Sequence, residues 1–191
     1  MGFVYHQSWY YRLKSAPRLL RAARAVESET PEPGLEDAEG ARSPERLTRQ
    51  VHAQAEAVGL SRIGVAAWDP KYTFEPYHDE IIGDRIIVCV LEQDWEATQQ
   101  IPSEAGAMAQ LTTYAVLMER ALKLAAWIRE MGFRAKVHPP EGRSLVLHYA
   151  VDAGMGQLGL NGQVLTLTAG SRCRGLSQFC RSARCSDRVT R

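Results

Sequence analysis

Ala153-Gly154-Met155-Gly156-Gln157-Leu158-Gly159-Leu160-Asn161-Gly162 places four glycines within nine positions near the end of the 191-residue chain. Glycine is the residue that tolerates positive φ and lets backbone approach another group closely, so this stretch is where the chain could grip something large. Read literally, Gly154-Met155-Gly156-Gln157-Leu158-Gly159 matches the G-x-G-x-x-G dinucleotide fingerprint. That fingerprint follows a strand, opens a helix and has an acidic residue about 20 positions on for the ribose. Here a strand is expected to follow, and the acidic residue after Gly159 is Asp187, close to the end of the chain. A Gly-Lys-Ser/Thr phosphate loop is absent as well. The remaining readings are a cofactor-facing turn or a tight helix-to-strand connection with no ligand.

The cysteines offer less. Cys89 lies inside Ile86-Ile87-Val88-Cys89-Val90-Leu91 and reads as an inert core thiol. Cys173, Cys180 and Cys185 have C-x6-C-x4-C spacing, which matches neither a zinc pair nor a ferredoxin cluster run. His138, His148 and Asp152 are titratable candidates. Each has a plainer alternative: hydrogen-bonded histidines and a helix-end carboxylate.

The elements that must position these groups can be read from pattern. Ser43-Pro44-Glu45 is a helix start, with Leu47, Val51 and Val58 on one face and Gly59 at the end. Ser61–Ala66 reads as a short strand, Asp69–Tyr77 as an aromatic-rich loop, and Ile86–Leu91 as a strand buried on both faces. Pro102-Ser103-Glu104 opens a long helix that Gly132 closes. Met108, Leu111, Ala115, Met118, Leu122 and Ala125 form one stripe on it, and Leu117, Ala121, Leu124 and Ile128 a second. Arg134–His138 reads as a strand. Ser144–Ala153 is ambiguous between helix and strand, and Gln163–Thr168 reads as a strand. This order predicts an α/β or α+β layered domain.

Composition, 45% hydrophobic and 24% charged, suits one sizeable soluble core. A net charge of +1 argues against nucleic acid or an anionic membrane as a partner. No apolar run reaches membrane-spanning length, and the N-terminus lacks the order of a secretory signal, so a cytoplasmic location is expected. Residues 1–42 read as an arm and a linker: an aromatic, basic segment from Trp9 to Arg24, then an acidic Pro/Gly-rich stretch from Glu27 to Glu45. The arm is read as a solvated amphipathic helix or as a segment packing on the core or a partner.

The stretch from Tyr149 to Gly162, followed by Leu165-Thr166 and Gly170-Ser171-Arg172, resembles the signature of the corrinoid-dependent reductases, the reductive dehalogenases and epoxyqueuosine reductase. The helix around Tyr114 and Leu124–Ala135, the strand at Ile86–Leu91, Ile63–Ala66 and Ile101-Pro102-Ser103 fall in the same family order. The resemblance covers roughly Leu47 to Arg172. It implies a nitroreductase-like domain over residues 43–172 that holds cobalamin base-off, followed in the family by a ferredoxin domain with two 4Fe–4S clusters. It further implies Tyr114 as proton donor and Arg172 as the cation beside it. Gly154, Gly156, Gln157, Leu158, Gly159, Asn161 and Gly162 become the cofactor-facing residues. A small-molecule substrate and an electron donor such as a ferredoxin are the implied partners, with a homodimer left open. His138 and His148 are open as cobalt or substrate ligands, although the D-x-H-x-x-G run of the His-on mutases is missing.

The resemblance fails after Arg172. From Ser171 onward there are six arginines against one aspartate, and residues 173–191 read as a basic, disordered tail that cannot ligate the clusters. A shifted or truncated reading frame near Gly175 is the expectation this raises. The reading is therefore a reductive-dehalogenase-like oxidoreductase domain. The alternatives are a non-catalytic corrinoid-binding or delivery module, an inactive truncated product, or, ranked last, a flavin nitroreductase-like enzyme.

Overall fold

The computed structural model describes residues 17–29, 43–138, 143–160, 162–166 and the backbone of 173–181. The first helix, α1, spans residues 17–27. Helix α2 (Pro44–Ala57) starts as expected: the Ser43 hydroxyl accepts from the Arg46 amide at 3.3 Å, and Pro44 opens the first turn. It ends at Val58, and Gly59 takes a φ of 87°. Strand β1 (Arg62–Ala67) leads through two short 3-10 turns, Pro70–Tyr72 and Glu75–Glu80, into β2 (Arg85–Glu92). A short helix, α3 (Trp95–Gln99), precedes the long α4 (Glu104–Glu130), which Ser103 caps and Gly132 follows at a φ of 91°. Then come β3 (Arg134–Val137), α5 (Val146–Asp152), β4 (Gln157–Leu158), β5 (Val164–Leu165) and β6 (Cys173–Arg181). Among the described residues no helix is long and apolar enough to cross a membrane.

The main sheet has the order β1-β2-β6-β3, and every pairing in it is antiparallel. With helices packed on both faces this is the layered α+β arrangement, with a fully antiparallel sheet in place of a doubly wound parallel one. Strand β2 is buried from Ile86 to Leu91, as its continuous apolar run predicts.

One expectation is overturned here. The segment read as a disordered tail from residue 173 is, over Cys173–Arg181, a central strand: Leu176 pairs with Cys89, and Ala135 with Cys180. Its arginine-rich composition gives no strand signal. The slot between β2 and β3, however, offers two rows of backbone donors and acceptors that must be paired, and pairing of that kind overrides composition. Residues 182–191, with Cys185, lie outside the described residues.

Period-two alternation along the strands builds two cores. On one face Ile63, Val65, Ile87, Cys89, Leu91, Ala135 and Val137 pack against α2 and α4, where Leu117, Met118, Ala121, Leu124, Ala125 and Ile128 are buried. The second α4 stripe holds in full, whereas in the first stripe Met108, Leu111 and Leu122 are only half-buried. On the other face Ala66, Ile86, Val88 and Val90 pack against Tyr149, Ala150 and Met155. Burial of the Cys89 thiol pushes its pKa up to about 12, which agrees with an inert core thiol.

The boundary expected at residue 43 also moves. Ala22 and Val26 of α1 are buried in the first core. Arg18 forms a two-bond ion pair with Glu119 at 2.8 and 2.7 Å. Glu29, expected to lie in the acidic linker, is buried instead. Its carboxylate accepts from Arg129 and, at 2.7 Å, from the Val137 amide on edge strand β3. Residues 17–29 are thus part of the domain: an alternation too short to read from composition becomes decisive once α4 and β3 supply partners.

Candidate functional site

Ser144–Ala153 resolves into α5, which ends with its last carbonyls taken up locally: Tyr149 O by the Ala153 amide, Val151 O by Gly154 and Ala150 O by Met155, each at 2.9 Å. Gly154 then takes a φ of +70° and the chain leaves the helix. The connection that follows is a β-hairpin, whereas a simple helix-to-strand turn was expected. Gln157 pairs with Leu165 and Leu158 with Val164. The Gly159 amide donates to Gln163 O at 2.7 Å, and the Gly162 amide to Gly159 O at 2.9 Å. The strand expected over Gln163–Thr168 is therefore Val164–Leu165, and its partner lies inside the glycine stretch itself. A helix does not follow the glycines, so the G-x-G-x-x-G match is not a dinucleotide loop.

The glycines divide by role. A Cβ on Gly156 would sit 2.4 Å from Leu165 O, so that glycine is required by its own hairpin partner. Gly64 on β1 serves Met155 likewise, since a Cβ there would meet the Met155 sulfur at 2.6 Å. Gly154 and Gly162 (φ +73°) face open space, with nothing within 4 Å of either absent Cβ. Around them Gln157 is exposed, and so are Leu158, Leu160 and Leu165. Leu158, opposite Val164, and Leu165, opposite Gln157, stand on opposite faces of the two-stranded ladder. The open backbone at Gly154 and Gly162 thus has an exposed leucine to either side, and the residues present fit a flat, largely apolar group such as a corrin ring laid on one hairpin face.

Other expected site residues are placed differently. Tyr114 is half-buried on α4, N-terminal to the helix's core residues Leu117 to Ile128, which pack on the sheet face opposite Met155 and Tyr149. Arg172 and Asn161 lie outside the described residues. Asp152 is exposed in the last turn of α5, the helix-end position of its plainer reading. His148 stacks at a tilt on Tyr72, 5.1 Å between ring centres. His138 is buried just after β3, and burial, then Lys136 and Arg143, depress its pKa to about 3. The 4Fe–4S clusters do not fit what is described. Cys173 and Cys180 are seven residues apart on one strand, about 23 Å at strand rise, and among the described residues no three His, Cys, Asp or Glu gather as a metal site.

A polar node escaped the sequence. Tyr149 is fully buried, and its hydroxyl donates to Asp69 O at 2.8 Å. That spends its single proton, so Thr73 Oγ1, 3.2 Å away, donates to it. Thr73 Oγ1 in turn accepts from Trp68 Nε1 at 3.1 Å, with Ser144 Oγ at 3.4 Å. The Asp69 amide also points at the Tyr149 hydroxyl, at 3.3 Å. His78 Nε2 donates to Thr73 O at 2.8 Å, and Tyr72 packs edge-on against the Tyr149 ring, 5.2 Å between centres. Burial pushes the Tyr149 hydroxyl above its ordinary pKa. The aromatic loop was visible in the sequence, but its partner, 80 residues on, carried no signal.

No family model matches the chain. The chain is 31% identical to a tetrachloroethene reductive dehalogenase of Dehalobacter restrictus, over 60% of the chain and 24% of that protein. A tetrachloroethene reductive dehalogenase of Desulfitobacterium hafniense is 30% identical over the same shares. The chain thus spans about a quarter of the length of these relatives. Among solved structures, the catabolic reductive dehalogenase NpRdhA in complex with 3-bromo-4-hydroxybenzoic acid superposes with a TM-score of 0.74 at 17% identity. That match covers 88% of the chain and 26% of NpRdhA. Epoxyqueuosine reductase from Streptococcus thermophilus superposes with a TM-score of 0.55 at 16% identity, covering 71% of the chain and 46% of that enzyme. The structural matches establish a fold shared with the reductive dehalogenases and epoxyqueuosine reductases, and the sequence matches a similarity to part of the tetrachloroethene reductive dehalogenases; together they support the resemblance to the corrinoid-dependent reductases.

Proposed function

We propose that the chain is the corrinoid-holding part of a reductive-dehalogenase-like oxidoreductase acting on a small halogenated organic substrate in the cytoplasm. The observation that carries this reading is the open backbone of Gly154 and Gly162 on a hairpin with exposed leucines, in a chain similar in sequence to reductive dehalogenases. When bound, cobalamin would supply the redox chemistry that breaks the carbon–halogen bond. The chain's own residues would bind and orient. Gly154 and Gly162 let backbone lie against a broad ring, the exposed leucine on that face excludes water from it, and Gln157 and Asn161 offer hydrogen bonds to its rim. Tyr114 is the proposed holder of the proton that replaces the halide, and Arg172 the cation that favours its loss. Their support is family order alone; Arg172 is outside the described residues.

Electrons would come from a separate donor of the ferredoxin kind. The wide separation of Cys173 and Cys180 along β6 also favours a second reading, a corrinoid-binding or delivery module with no catalysis of its own. Titrating the purified protein with hydroxocobalamin tests both. A base-off visible spectrum at micromolar cofactor is the expected result, and an unchanged spectrum overturns both readings. Halide release from a chlorinated alkene, with reduced ferredoxin supplied, separates the enzyme from the delivery module.

A further inference from the structure

We propose that Tyr149 is the positioning residue that locks the glycine hairpin and the Asp69–Glu80 loop together as one wall of the corrinoid site. The proposal rests on the cofactor reading above, and on a connection that the fold makes twice. Tyr149 stands on α5, and its hydroxyl gathers the Asp69 carbonyl and amide and the Thr73 hydroxyl at 2.8, 3.3 and 3.2 Å. Backbone bonds stitch the same two segments beside that node: Leu145 N to Tyr72 O at 2.7 Å and Phe74 N to Arg143 O at 3.1 Å. At the other end Tyr149 O receives the Ala153 amide one residue before Gly154, and Met155 shares the Tyr149 core cluster.

A phenylalanine would fill the same volume, so packing alone does not call for the hydroxyl. What the hydroxyl adds is a fixed distance between α5 and a loop that returns from the far side of the sequence. The loop presents Phe74 outward and the hairpin presents Leu158 and Leu160. Glu80, held by Arg143 and by Lys136 at 3.7 Å, pins the loop's far end. Removing the node leaves the backbone bonds at Tyr72 and Phe74 in place but frees the hairpin root to move relative to the loop. A flat ligand needs both held before it arrives, because ordering them on binding weakens affinity.

The test compares Tyr149→Phe, Thr73→Val and, as a control on the opposite sheet face, Ile87→Val. The first readout needs no ligand: amide hydrogen exchange at Phe74 and Gly159, with Val88 as the internal reference. Tyr149→Phe and Thr73→Val are expected to speed exchange at Phe74 and Gly159 by about tenfold and to leave Val88 unchanged, the loss of one buried hydrogen bond. The second readout is the hydroxocobalamin dissociation constant, expected to rise about tenfold in both variants, and no further when they are combined. Ile87→Val should leave both readouts at wild-type values. Unchanged exchange at Gly159 in Tyr149→Phe, or an equal loss of affinity in Ile87→Val, overturns the proposal. No corrinoid uptake by the wild type overturns the cofactor reading and the site named here, while the exchange data still decide whether Tyr149 couples loop to hairpin.

Discussion

Glycines that look alike in a motif are held in place by different forces here, and substitution should separate them. Gly156→Ala pushes a methyl against the Leu165 carbonyl, a backbone atom that cannot step aside. It should cost about 1–3 kcal/mol and spread the hairpin. Gly154→Ala meets open space and is penalised only by its φ of +70°, about 1 kcal/mol. Denaturant midpoints measure the difference, and equal losses would contradict it. His138 carries a pH prediction. Its folded pKa, near 3, lies below the ordinary histidine value of 6.5, so the unfolded chain binds the extra proton as pH falls. The stability it contributes is complete above about pH 6.5 and declines toward pH 3 at about 1.4 kcal/mol per pH unit. Acid titration of wild type against His138→Phe should show the flatter profile in the variant.

Among the elements, α1 shows how one buried carboxylate outweighs an exposed ion pair. Glu29, whose side chain is 5% exposed, answers both Arg129 and the Val137 amide at the open edge of the sheet. Glu29→Ala leaves the half-buried Arg129 guanidinium without its counter-charge, with its bond to the Ala135 carbonyl retained, and the Val137 edge amide without its acceptor, and should destabilise by about 2 kcal/mol. Arg18→Ala removes a pair at the surface, where both side chains are more than a third exposed, and should change stability by less than about 1 kcal/mol. Chemical denaturation of the two variants orders them. The N-caps at Ser43 and Ser103, the closing glycines at 59 and 132, and the inner stripe of α4 were legible because each is a local rule read over a few residues. The hairpin was not: β4 and β5 are two residues each, too short for periodicity, and their pairing depends on Gly156 having no side chain.

At the scale of the molecule β6 decides the architecture. It enters last in the chain yet lies between β2 and β3, so the sheet cannot close until residues 173–181 are in place. A chain ending at Arg172 should therefore lose cooperative unfolding, with β3 and the α4–β3 contacts the first to exchange; a sharp calorimetric transition at the full-length temperature would refute this. By itself the sequence determined helices α2 and α4, their ends, the buried strand β2 and, through the ordered run from Ile63 to Gly162, the family resemblance, because each rests on neighbouring residues or on their order. Only the tertiary structure decided that an arginine-rich segment is a central strand, that residues 17–29 belong to the domain, and that Tyr149 holds Asp69 and Thr73. Those outcomes are set by pairing and burial between residues far apart in the chain, where backbone hydrogen bonds that must be satisfied outweigh local composition.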